Sequence, residues 1–169
     1  FNIADRIYTS DASREKLARL IQNLEEAGRS VSEEIIAQVY EWTEGHLYLT
    51  QRLCSILEEN GDGAVTPEDI DAAVEAILND RNIERVHRGL DDKPEEDACL
   101  ERILAADKPR KFIRTGSGAT IAKLELFGVI KEGPDGCCQV RNAIYRKALA
   151  NRCGVDEVGT LTRLESELF

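Results

Sequence analysis

A chain of 169 residues is long enough for one domain or two small ones, and its 42% hydrophobic content is that of a folded protein, which excludes disorder as a whole. No apolar run approaches the ~18 residues a membrane-crossing helix needs, and no signal peptide is legible, so no membrane partner is expected. The net charge of −10 is unevenly placed: residues 1–97 carry 10 basic and 23 acidic side chains, whereas residues 98–153 carry 11 and 5. That asymmetry points to two modules with different partners or complementary faces, although two solvated surfaces would read the same way.

The first half is punctuated by helix caps. Ser10 or Asp11 opens a helix whose Leu17, Leu20, Ile21 and Leu24 share one face, and Gly28 ends it. Ser32 precedes Ile35, Ile36, Val39 and Tyr40 in a second helix that Gly45 stops. The third helix carries Leu49, Leu53, Ile56 and Leu57 and runs out at Asn60-Gly61-Asp62-Gly63. Thr66-Pro67-Glu68-Asp69 is a strong start signal for the fourth, with a Thr cap, Pro at the first helical position and an acidic residue three places after the cap. Ile70, Val74, Ile77 and Leu78 form its buried stripe, and Arg81–Leu90 reads as a fifth helix. Residues 1–90 are therefore expected to be an all-α domain, with Trp42, the only Trp in the chain, in its core.

Asp91-Asp92-Lys93-Pro94 is the clearest boundary, because it is charged and places Pro where a new helix would begin. Cys99, Leu100, Ile103 and Leu104 give one helix, and Phe112 and Ile113 a short second helix or turn. Ile121, Leu124 and Phe127 lie on another. Val129-Ile130-Lys131 and Cys137–Arg141 flank Gly133-Pro134-Asp135-Gly136 as a β-hairpin. Ile144, Tyr145, Ala148 and Leu149 close with a helix. The order over 91–153 is that of a winged helix-turn-helix module, and 154–169 reads as a connector helix with Leu161, Leu164 and Leu168 at helical spacing. The fold class is thus mainly α: a helical bundle, then a module with one small hairpin.

Catalytic and metal chemistry find little support. Five Cys with no CxxC argue for free thiols in a reducing cytosol, and hence a cytoplasmic protein with no zinc site. A phosphate-binding loop requires GxxxxGK[ST], because successive backbone N–H groups wrap the phosphates while Lys and Ser/Thr serve charge and Mg²⁺. Gly116-Ser117-Gly118-Ala119-Thr120 lacks the Gly-Lys pair and reads better as a helix cap. Only two His are present, His46 and His87, and neither belongs to a nucleophile signature. The pairs Glu25-Glu26, Glu33-Glu34 and Glu58-Glu59 are neighbours on helices, so their side chains diverge by about 100°. The chain by itself is not expected to be an enzyme.

Glu41-Trp42-Thr43-Glu44-Gly45-His46-Leu47-Tyr48-Leu49-Thr50-Gln51-Arg52-Leu53-Cys54 resembles the segment that follows the nucleotide-binding core in AAA-like P-loop ATPases of the STAND class. Asp80-Arg81-Asn82-Ile83 and Val140-Arg141-Asn142-Ala143-Ile144-Tyr145-Arg146 extend the resemblance, which covers roughly 1–152. It implies a helical lid over 1–90 and a winged helix over 91–153, behind a catalytic core that is not in this sequence. The opening at Phe1-Asn2-Ile3, without Met, is what a segment of a longer polypeptide would show. The resemblance further implies ATP or ADP with Mg²⁺ as cofactors of the parent protein, and its ATPase core as the partner, with self-assembly as a further expectation. Gly45, His46 and Leu47 correspond to a lid motif whose backbone approaches adenine, with Glu44 and Leu47 replacing the family's usual Gly and Pro. The same residues also fit simple packing of the lid core. The function implied is non-catalytic and regulatory: nucleotide state is coupled to domain packing.

The alternative is a DNA-binding winged-helix regulator with a helical partner-binding domain. Lys108, Arg110, Lys111 and Arg114 precede the would-be recognition helix and Lys123 lies on it, so these are the candidate phosphate contacts. That helix offers few polar side chains for base edges, and the acidic first half would repel a duplex, so nucleic acid is the disfavoured partner.

Overall fold

The computed structural model describes residues 11–105, 111–113 and 119–155. The described residues are mainly helical, in the order α1 (Arg14–Glu26), β1 (Arg29–Ser30), α2 (Glu33–Thr43), α3 (Leu47–Glu59), β2 (Gly63–Ala64), α4 (Pro67–Leu78), α5 (Arg81–Leu90), α6 (Pro94–Leu104), α7 (Ala119–Leu126), β3 (Ile130–Glu132), β4 (Cys138–Val140) and α8 (Ala143–Cys153). Two compact units divide between Asp71 and Ala72, so α4 runs from one into the other.

In the first unit α1 packs on α2 and α3, burying Leu17, Ile21 and Leu24 against Ile35, Ile36, Val39, Leu49 and Leu53. These are the apolar positions that recur at three- and four-residue spacing, the period that puts side chains on one helical face. The cap of α1 is Ser13, whose hydroxyl accepts from the Lys16 N–H, rather than Ser10 or Asp11. Ser32 caps α2 through the Ile35 N–H. The start of α4 is a reciprocal box: the Thr66 N–H donates to the Asp69 carboxylate at 2.9 Å, and the Asp69 N–H donates to the Thr66 hydroxyl at 3.2 Å.

The expectation of an all-α first half is corrected by β1 and β2, which pair in parallel with Arg29 opposite Gly63 and Ser30 opposite Ala64. Neither stretch has an alternating apolar pattern, so no sequence signal marks them. A buried side chain on β1 accompanies the pairing instead. Arg29 is buried, its guanidinium donates to Asp69 at 2.9 Å, and its Nε has no hydrogen-bond partner among the described residues. A Cβ at Gly61 would come within 2.6 Å of that guanidinium, so a side chain there would have to displace it. Trp42 is also corrected: it is half-buried, while Thr43 takes the fully buried position next to it.

In the second unit α6 packs on α7, α8 and β4, and α5 packs on α8. Leu100, Leu104, Ile121, Leu124, Ile144 and Leu149 fill this core. The hairpin forms as expected, with Ile130 opposite Val140 and a tight turn in which the Gly136 N–H donates to the Gly133 carbonyl. Phe112 and Ile113 are not helical. Lys111 bridges Cys137 in antiparallel fashion and the Phe112 N–H donates to Gly136, so this stretch adds an edge to the hairpin. Of the connector expected over 154–169, all but Gly154 and Val155 lies outside the described residues. No helix among the described residues is long and apolar enough to cross a membrane.

Candidate functional site

The break between α2 and α3 is built from two successive left-handed residues, Glu44 at φ 46° and Gly45 at φ 80°. Glycine adopts that conformation without steric cost, whereas a residue with a Cβ loses about 1–2 kcal/mol there, so Glu44 stores local strain. The reversal leaves Gly45 buried against the chain that enters α1. The Ala12 N–H donates to the Gly45 carbonyl at 2.8 Å, and a Cβ on Gly45 would overlap the Ala12 carbonyl oxygen. Close backbone approach is therefore what Gly45 provides, and the backbone it meets is that of Ala12.

His46 follows as the cap of α3, its Nδ1 accepting from the Leu49 N–H at 3.3 Å. Beneath it, the Thr50 hydroxyl lies within hydrogen-bond distance of both the His46 carbonyl and the Thr43 hydroxyl, and the latter donates to the Val39 carbonyl. These buried polar groups satisfy one another and fix the angle at which α3 leaves the loop. Leu47 and Tyr48 then emerge at the surface, 50% and 45% exposed.

Leu47 and Gly45 form one wall of an open cleft of about 500 Å³. The facing wall is α1, which contributes Lys16, Leu17, Arg19 and Leu20. That volume lies within the ~300–1,000 Å³ typical of small-ligand sites. Lys16 and Arg19 belong to no sequence motif. The available signal was their rarity: residues 11–71 hold five basic side chains against 14 acidic ones, and these two sit one turn apart on α1.

The candidate nucleic-acid contacts are not gathered into a patch among the described residues. Lys108, Arg110 and Arg114 lie outside them. Lys111 is exposed on the edge of the hairpin. Lys123 donates to Glu96 at 2.9 Å, and Glu96 is only 3% exposed, so this cation already neutralises a buried carboxylate. The hydrogen bond from Lys123 holds the Glu96 carboxyl below its ordinary range against the opposing effect of burial. The pair ties α7 to α6.

All five cysteines are free thiols. Burial pushes the Cys54 and Cys153 thiols up to about 11, and burial together with Asp135 raises Cys137, so these groups are poor nucleophiles at neutral pH. No group of three or more His, Cys, Asp or Glu side chains is arranged to hold a metal ion among the described residues. A scan against protein-family models and searches of curated proteins and of solved structures gave no match.

Proposed function

We propose that this chain is the non-catalytic regulatory part of a STAND-type ATPase, in which a helical lid contributes to a nucleotide cleft and a winged-helix module transmits or restrains its state. The observation that carries the reading is the α2–α3 break, where two left-handed residues and a His cap leave Leu47 exposed on the wall of an open cleft. A side chain half exposed on a concave surface is available to a ligand, whereas one buried in the bundle would not be. Among the described residues of 94–153, the order α6, α7, hairpin, α8, with Lys111 bridged to the hairpin at Cys137, supports the winged-helix part of the reading. The engagement of Lys123 by Glu96 favours protein packing over DNA for that module, since a cation already paired to a buried carboxylate is withdrawn from phosphate binding.

In this reading the switch works through contacts that differ between nucleotide states, because a ligand shifts domain packing only by its differential affinity for the two arrangements. The test uses the full-length polypeptide that the reading requires. Nucleotide retained after gel filtration is measured for wild type, Leu47→Pro and Leu47→Asp. Retention unchanged or raised by Leu47→Pro and lowered by Leu47→Asp supports the role of this segment. A full-length protein with no phosphate-binding loop, or one that retains no nucleotide, overturns it. Gly45→Val is not a clean probe here, because its side chain would collide with Ala12 whatever the ligand does.

A further inference from the structure

We propose that Asn60-Gly61, at the exposed corner between α3 and β2, is a site of self-modification. Asn60 converts to a mixture of aspartate and isoaspartate through attack by the Gly61 backbone nitrogen, and the product loosens the first unit. Asn60 is the only asparagine of the chain that glycine follows, and both residues are exposed. Glycine has no Cβ to crowd its nitrogen or restrict its backbone torsions. The Gly61 N–H makes no hydrogen bond to the described residues, so none has to break before it reacts. The other described asparagines lack this combination. Asn23, Asn82 and Asn151 lie in helices, Asn142 is buried, and Asn79 donates its side-chain amide to the Glu75 carbonyl.

In the first step the Gly61 nitrogen bonds to Asn60 Cγ, and the side-chain amide nitrogen leaves as ammonia with the proton that Gly61 gives up. Water then opens the cyclic imide. Cleavage between Cγ and the nitrogen restores the normal backbone with aspartate at position 60. Cleavage between the main-chain carbonyl carbon and the nitrogen leaves isoaspartate, whose backbone runs through Cβ and Cγ. Water is the only co-reactant. Ring closure requires the Asn60 ψ to turn away from its value of 14°. That rotation swings Gly61 away from the Arg29 guanidinium, which lies where a Gly61 Cβ would project. The closed corner thus slows the step, and local opening sets its rate. The product disturbs the same corner in two ways. The last turn of α3 holds Glu58 and Glu59 and no basic residue, so a new carboxylate adds like charge at the negative end of the helix dipole. The isoaspartyl form also lengthens the main chain by a methylene just before β2, where Gly63 must stay in register with Arg29.

The experiment ages the 169-residue chain in mildly alkaline and mildly acidic buffer. Peptide mapping that separates the Asn, Asp and isoaspartyl forms follows position 60, and thermal melts are recorded in parallel. The expected result is loss of Asn60 to both products, faster in the alkaline buffer, while Asn23, Asn79 and Asn142 stay intact. Denaturing urea, which removes the Arg29 cover from Gly61, is expected to speed the conversion. Aged wild type should melt below the fresh chain, and aged Asn60→Gln, whose longer side chain is exposed and slow to cyclise, should not. Asn60 surviving while Asn79 converts, aspartate formed without isoaspartate, or a rate that urea leaves unchanged would each overturn the mechanism. Aged wild type that melts with the fresh chain, or aged Asn60→Gln that loses as much, would overturn the loosening.

Discussion

Arg152 offers the sharpest test of how the second unit holds together. Its guanidinium donates to both carboxylate oxygens of Asp97, at 3.0 and 3.2 Å, to Asp91 at 3.0 Å, and to the carbonyls of His87 and Leu90 at 3.2 and 3.1 Å. One side chain of α8 therefore terminates α5, whose last carbonyls lack helical partners, and anchors the first turn of α6. Arg152→Met keeps most of the aliphatic stem and removes every one of these bonds. Losing one partner of a fully buried ion pair costs about 3–5 kcal/mol. Here Arg152 is 19% exposed and Asp97 31%, so water recovers part of that. The two carbonyls lose charge-assisted bonds that water can also replace in part, so about 3 kcal/mol overall is the reasoned figure. For a chain of this length that corresponds to a fall in Tm of roughly 6–12 °C. Arg152→Lys should recover under half of the loss, because an ammonium cannot grip Asp97 through two parallel bonds. Thermal melts of the two variants, with Asp97→Ala and the Arg152→Met/Asp97→Ala double variant, complete a cycle whose coupling should be about 1–2 kcal/mol. A Tm within a degree of wild type for Arg152→Met, or a coupling of zero, would refute the argument.

Gly45→Ala should cost about 2–4 kcal/mol, combining a left-handed backbone with the loss of the Ala12–Gly45 hydrogen bond; urea denaturation measures it, and a loss below ~0.5 kcal/mol would mean the Ala12 segment simply moves aside. The Glu96–Lys123 pair stabilises the fold on a plateau. Glu96 is depressed, so its contribution is present above the ordinary carboxyl range and is lost as pH falls through its lowered value. Lys123 is raised by the hydrogen bond to Glu96, so its share persists below its ordinary value and fades as pH climbs through the raised one. In Lys123→Met the largest influence lowering Glu96 is gone while burial, backbone hydrogen bonding and Lys93 remain, so its carboxyl moves up from its wild-type position and the variant should lose more Tm at pH 8 than at pH 4; equal losses at both would contradict the assignment. With thiols at about 11, Cys54 and Cys153 should be alkylated at pH 8 about a hundredfold more slowly than a free thiol, as read by peptide mass mapping, and labelling at the free-thiol rate would show that they are not desolvated.

The amino-acid sequence by itself determined the helices, because their apolar positions repeat at the helical period and their caps are local. Ser32, the Thr66–Asp69 box and Pro94 act within one turn of the positions they specify, and the Gly133–Gly136 turn fixes its hairpin for the same reason. The position of Gly45 at the end of α2 was equally legible, since a left-handed residue there calls for glycine. Only the tertiary structure decided what Gly45 approaches, because Ala12 lies 33 residues away and nothing near Gly45 names it. The same holds for the parallel pairing of Arg29–Ser30 with Gly63–Ala64, for Lys123 meeting a buried Glu96, and for Arg152 reaching Asp91 and Asp97. Lys16 and Arg19 carry ordinary helical-surface spacing, and they become cleft residues only once α3 is set opposite α1. Periodicity reports which face of an element is buried, but the partner on that face is fixed by packing between elements distant in the chain, which local sequence does not encode.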